Sequence, residues 1–155
     1  MTDSICSANI LVAPILNDEG IAEYYVPEGK WTDIITGKVL EGGKWYKHKC
    51  SYFEIPALAK PNSIIAYGNF ERQIEYDYLE GTTFTIYELE DGKSAVCPIY
   101  DTEANKVFEL TATRHGNKIE CEYTDTKASF KITVANTDKT VEIAPNFSGK
   151  VIIEL

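Results

Sequence analysis

Phe108-Glu109-Leu110-Thr111-Ala112-Thr113, Ile119-Glu120-Cys121-Glu122-Tyr123-Thr124 and Phe130-Lys131-Ile132-Thr133-Val134 decide the fold class. In each run an apolar residue alternates with a polar one, the period-two pattern of a strand with one face in a core and the other in water. The segments between them, His115-Gly116-Asn117, Thr124-Asp125-Thr126-Lys127 and Asn136-Thr137-Asp138, are rich in turn formers. They recur about every ten residues, as in an antiparallel sandwich or barrel meander. Val141 with Ile143, and Val151 with Ile153 and Leu155, supply two further strands, and no window of this half carries apolar residues at helical spacing.

The first half is strand-like with a different texture. Ile10-Leu11-Val12-Ala13 reads as a strand buried on both faces. Turns at Asp18-Glu19-Gly20, Pro27-Glu28-Gly29 and Glu41-Gly42-Gly43 then separate short segments rich in Tyr, Trp, Ile and Val. Asn69 to Tyr78 shows neither alternation nor a helical stripe, which marks a seam. The expected fold is therefore all-β, two small antiparallel β-sandwich domains covering residues 1–70 and 71–155. Charge divides along the same line. Residues 1–70 hold 8 acidic and 6 basic side chains and residues 71–155 hold 16 and 9.

Over 155 residues the net charge is −9, which opposes a phosphate backbone or an anionic membrane; neither nucleic acid nor a membrane is an expected partner. Met1 to Asn9 has no basic residue, and the first apolar run, Ile10 to Leu16, is short and broken by Pro14. That is neither a secretory signal nor a membrane span, so a cytoplasmic location is expected. Cys6, Cys50, Cys97 and Cys121 are scattered without a CxxC pair and read as buried thiols in a reducing compartment; no metal is expected. The sequon Asn146-Phe147-Ser148 is then unused.

Little in the sequence can carry chemistry. His48 and His115 are the sole imidazoles, so any triad or zinc site would have to be built around one of them. A His48–Cys50 dyad would be a surface pair with no third member, and His115 lies in a turn. Gly42-Gly43 belongs to no phosphate-binding loop. Glu75 with Asp77, and Glu88 with Glu90, are i, i+2 carboxylate pairs expected on single strand faces and read as solvated acidic surface rather than a catalytic pair. No catalytic residue and no cofactor is expected. The aromatic set is the one feature suited to binding, since sugars stack on flat rings that keep a polar handle, but core filling is the favoured reading of the two indoles. Trp31, Trp45 and Tyr46 are the candidate carbohydrate-contact residues, against the alternative that the two indoles fill the core of the first module.

Several motifs then fall in a recognisable order: Leu11-Val12-Ala13-Pro14-Ile15; Tyr25-Val26-Pro27-Glu28-Gly29-Lys30-Trp31-Thr32-Asp33 with Thr36-Gly37; Glu41-Gly42-Gly43-Lys44-Trp45; and Pro61-Asn62-Ser63-Ile64-Ile65. Together they resemble the segment that follows the catalytic barrel in glycoside hydrolase family 31, especially its α-xylosidase branch. Tyr76-Asp77-Tyr78 to Gly81, then Tyr87-Glu88-Leu89-Glu90-Asp91-Gly92, resemble the start of that family's last domain. The resemblance implies a proximal and a distal C-terminal sandwich appended to a (β/α)8 barrel whose aspartates carry the chemistry and which has no counterpart here. The chain is then expected to be non-catalytic by itself and part of a retaining α-xylosidase or α-glucosidase. It would brace the barrel and aid self-association, its partners being that barrel and a second copy. A carbohydrate-binding module using surface Trp or Tyr is the alternative. Without the barrel, an apolar patch should lie bare on the first module. Ser7-Ala8 replaces the Gly-Asp usual before the Leu-Val-Ala-Pro run, so residues 1–8 are expected to be irregular.

Overall fold

The computed structural model describes residues 5–7, 9–69, 79–124, 126–145 and 149–155. Glu75, Tyr76, Asp77, Tyr78 and Asn146-Phe147-Ser148 lie outside the described residues. Among those described there are strands and turns and no helix, and the chain divides into two compact units, Met1–Pro61 and Asn62–Leu155. Each is a β-sandwich.

In the first unit β1 (Ile5–Ser7), β2 (Ile10–Val12), β7 (Ala57–Ala59), β4 (Lys30–Asp33) and β5 (Val39–Glu41) form one sheet in that spatial order. β3 (Ile21–Val26) and β6 (Lys44–Lys49) form a two-stranded ribbon. Every pairing is antiparallel. Residues 5–7 are not irregular, as the Ser7-Ala8 departure led us to expect: they pair with β2 in the register Cys6 to Leu11. β7 sits between β2 and β4 and is buried at all three positions. From the ribbon, Ala22, Tyr24 and Val26 point inward at alternate positions of β3 and meet Leu11, Trp31, Leu40 and Leu58 of the sheet. Burying such side chains contributes about 1.5–3 kcal/mol each, which lets a unit this small hold together. The chain between β5 and β6 passes hard against the turn after β3: Gly42 N–H donates to Gly29 O at 2.8 Å, and a Cβ on Gly42 would stand 1.7 Å from the Pro27 carbonyl oxygen. Only glycine fits there.

In the second unit β14 (Thr140–Ile143), β13 (Phe130–Val134), β9 (Thr82–Tyr87) and β8 (Ser63–Tyr67) form one four-stranded sheet. β10 (Ser94–Tyr100), β11 (Lys106–His115), β12 (Lys118–Tyr123) and β15 (Gly149–Glu154) form the other. The boundary falls earlier than the expected residue 70. Ser63–Tyr67 hydrogen-bonds along β9 from Ser63–Tyr87 to Tyr67–Thr83, so the ladder carries that strand into the second unit. The alternating residues that announced the fold form its core: Phe108, Leu110 and Ala112 of β11, Ile119, Cys121 and Tyr123 of β12, and Phe130, Ile132 and Val134 of β13. Phe84, Phe108 and Phe130 meet one another with ring centroids 5.2–5.6 Å apart, and Tyr123 packs edge-on to Phe130 at 5.2 Å. One pairing departs from the antiparallel expectation. β13 lies parallel to β9, which is possible because the intervening β10–β12 meander belongs to the other sheet and serves as the crossover. The β11–β12 hairpin closes with His115 opposite Lys118, and Gly116 at φ 61° takes the first central position, where a II′ turn needs glycine.

Candidate functional site

Strand alternation in the ribbon separates the three aromatic candidates. Trp31 is on β4, in the core, 3% exposed, with its indole N–H donating to Pro27 O at 3.0 Å. It cannot present a face to a sugar, because Leu40 and Leu58 of its own sheet and the inward side chains of the ribbon enclose it. Trp45 is 60% exposed and packs edge-on against Tyr25, its partner across β3, with ring centroids 5.8 Å apart at 62°. The same outer face carries the Lys47–Glu23 ion pair at 3.8 Å. Tyr46 points the other way. Its ring stacks on buried Tyr24 at 6.1 Å and 20°, its hydroxyl donates to Glu41 O at 2.8 Å, and the Lys44 ammonium stands 5.4 Å from its centroid.

Tyr46 thereby lines a cavity of about 320 Å³ inside the first unit, bounded by the β4–β5 turn and the β6–β7 loop. Its apolar part comes from Tyr24, Tyr46, Leu40, Ile35 and Ile55, and its polar part from Asp33, Thr36, Lys38, His48 and Glu54. The turn is held from within: Asp33 Oδ1 accepts from the Ile35 and Thr36 amides, each at 2.9 Å, and Asp33 N–H donates to Lys38 O at 2.8 Å. The loop is held by Glu54, whose Oε2 accepts from Ser51 N–H at 2.8 Å; that bond draws its carboxyl below the ordinary range. Burial raises the Tyr24 hydroxyl, with Asp33, Cys50 and Tyr46 adding to the shift.

His48 and Cys50 both line this cavity, but not as a nucleophilic dyad. Burial first, then the Glu54 charge, raise the Cys50 thiol, the opposite of the activation a catalytic cysteine needs. The Cys50 thiol faces the His48 carbonyl oxygen at 3.9 Å. Nor do Glu88 and Glu90 share a strand face. β9 ends at Tyr87, Glu88 takes φ 39°, and Glu90 turns to Asn62, which donates to its Oε2 at 3.2 Å and accepts from its N–H at 2.8 Å. Cys50, Cys97 and Cys121 are free thiols, and burial pushes the Cys121 thiol up to about 12. Among the described residues no group of His, Cys, Asp or Glu could hold a metal ion, and no helix is long and apolar enough to cross a membrane.

The most exposed large apolar side chains of this unit lie in the β6–β7 loop. Tyr52 and Phe53 are 95% and 92% exposed and meet edge-on with centroids 5.2 Å apart, with partly exposed Ile55 following. The apolar patch expected on the first module had no residues assigned to it, because the strand pattern of β6 ends before Tyr52 and gives a loop no facing.

Fold and site together define an all-β chain of two sandwiches in tandem, with no (β/α)8 barrel among the described residues. Residues 77–155 match the family model described as "Alpha-xylosidase YicI, C-terminal domain", and residues 2–65 match that of "Glycosyl hydrolase family 31 C-terminal domain". The chain belongs to glycosyl hydrolase family 31, to its C-terminal region. It is 32% identical over 121 residues to alpha-xylosidase XylQ of Lactiplantibacillus pentosus, covering 76% of this chain and 16% of that protein. It is 38% identical over 133 residues to an alpha-xylosidase of Emericella nidulans, covering 77% and 17%. The chain thus spans less than a fifth of the length of these relatives. In fold it is similar to the Flavobacterium johnsoniae GH31 dextranase (TM-score 0.77, 16% identity, 95% of this chain and 26% of that one). The GH31 alpha-xylosidase of Xanthomonas citri gives a TM-score of 0.70 at 15% identity, over 96% and 19%.

Proposed function

We propose that this chain is the non-catalytic C-terminal support of a family 31 α-glycosidase, of α-xylosidase or α-glucosidase type, and that its first unit docks against the catalytic barrel. The observation that carries this reading is the Tyr52–Phe53 pair. Two large aromatic side chains stand almost wholly in solvent on a loop anchored by Glu54, which is unfavourable unless something covers them. The relatives are enzymes of which this chain represents a small part, so the occupant argued for is the catalytic part of such an enzyme. Self-association falls to the second unit, where Val96 and Tyr100 lie exposed on β10, an edge strand of its sheet. The free thiols support a reducing, cytoplasmic setting.

Incubation with aryl α-xylosides and aryl α-glucosides tests the central claim. No turnover is expected; hydrolysis that disappears when a residue of this chain is substituted would overturn it. Sedimentation of the purified chain tests association. Concentration-dependent dimers weakened by Val96→Lys are expected, and a monomer at all concentrations removes that part of the reading.

A further inference from the structure

The cavity beside Tyr46 has a chemistry of its own, although it shares the β6–β7 loop with the proposed docking face. At about 320 Å³ it stands at the small end of ligand-sized pockets, and it is built as they are, with apolar walls and a few converging polar groups. Its walls are Tyr24, Tyr46 and Leu40, fixed by the ribbon and by β5. Around them stand acceptors, Asp33 and Glu54, and donors, Lys38 and His48, with the Thr36 hydroxyl able to act as either. Both signs of charge share this rim, so neither an anion nor a cation meets a single matching field. An apolar wall edged by both donors and acceptors complements a neutral ring that has apolar C–H faces and hydroxyls around its edge. We infer that the cavity between the β4–β5 turn and the β6–β7 loop is a binding site for a small neutral sugar, of one or two rings, lying against Tyr46. Two of its boundaries are already held: Asp33 pins the turn through two amides, and Glu54 pins the loop through Ser51, so little ordering is left for binding to impose. The assignment differs from a stacking platform on Trp45, which the pleat of β6 sends to the opposite face of the ribbon.

Titration of the isotope-labelled full chain with D-glucose, D-xylose and maltose, followed by amide NMR, decides the matter, with sorbitol as an acyclic control. Saturable shifts are expected at Thr36, Lys38, His48 and Ile55, absent with sorbitol. His48→Ala and Glu54→Gln, both at exposed positions, should keep the spectrum of the folded chain and weaken binding about tenfold or more, while Trp45→Ala leaves it unchanged. Shifts centred on Tyr25 and Trp45, an equal response to sorbitol, or no response to any of the sugars would each overturn the inference.

Discussion

Tyr25 and Trp45 face each other directly across the β3–β6 ribbon, rings edge-on at 5.8 Å, while Trp31 lies buried in the core of the same unit. The two indoles therefore do different work. Trp31→Ala should destabilise the first unit by about 3–5 kcal/mol, through a cavity and an orphaned Pro27 carbonyl. Trp45→Ala should remove less than about 1.5 kcal/mol, the worth of an exposed aromatic pair. Urea unfolding of both variants measures the difference. Acrylamide should quench Trp45 and spare Trp31; equal quenching would contradict the burial of Trp31.

Two glycines are needed for different physical reasons, and alanine separates them. At Gly42 a methyl group meets the Pro27 carbonyl oxygen at 1.7 Å, so the β5–β6 turn must move away from the turn after β3. Gly42→Ala should cost about 3 kcal/mol. At Gly116 nothing lies within 4 Å of the added carbon, and only the positive φ of 61° opposes it. Gly116→Ala should cost about 1–2 kcal/mol. Thermal unfolding of the two variants should rank them in that order.

The Glu80 carboxylate accepts from Ser129 twice, from the backbone N–H at 2.9 Å and from the hydroxyl, tying the approach to β9 to the approach to β13. The hydroxyl bond first, then the amide bond, lower its pKa in the folded chain. A depressed carboxyl stabilises the fold above its unfolded value of about 4.3, and the contribution is lost as pH falls through the lower folded value. Glu80→Gln should therefore narrow the gap in urea midpoint between pH 7 and pH 3 relative to the parent chain. Asp101 and Glu142 are lowered by their own partners and continue to titrate in both proteins, so the comparison isolates Glu80. An unchanged gap would mean that the Ser129 bonds do not bias ionisation.

The second sandwich was readable from residues because β11, β12 and β13 each keep strict alternation over at least five positions, long enough for the pleat to declare which face is buried. The parallel pairing of β13 with β9 was not, since register between distant strands depends on how the two sheets share the core. The unit boundary was misplaced for a related reason. Ser63–Tyr67 carries no charge or turn signal that says which neighbour it pairs with, and only the ladder to β9 assigns it. Among the candidate residues, composition could say that aromatics were many but not which way each faced. β4 is short, with Trp31 and Thr32 both buried, so alternation gave Trp31 no side. The cavity escaped the sequence altogether, because it is made by a turn at 33–38 and a loop at 50–56 that converge only in the folded unit.

Tyr52 and Phe53 supply the last prediction, because stability and surface behaviour must separate there if they form a docking face. Both rings are almost entirely exposed, so neither contributes core burial, and the double variant Tyr52→Ser, Phe53→Ser should leave the unfolding midpoint within about 0.5 kcal/mol of the parent. Leu58→Ala, which empties a fully buried position of the same unit, should cost about 2–5 kcal/mol and serves as the contrast. The surface should respond in the opposite sense. The double serine variant should bind less of an apolar dye such as ANS and elute earlier from a hydrophobic-interaction column, since the edge-on aromatic pair is the largest exposed apolar feature of the β6–β7 loop. A loss of stability comparable to Leu58→Ala would show that the rings pack within the unit. Unchanged dye binding would show that they offer no apolar face, and either result removes the ground on which docking to a catalytic barrel was argued.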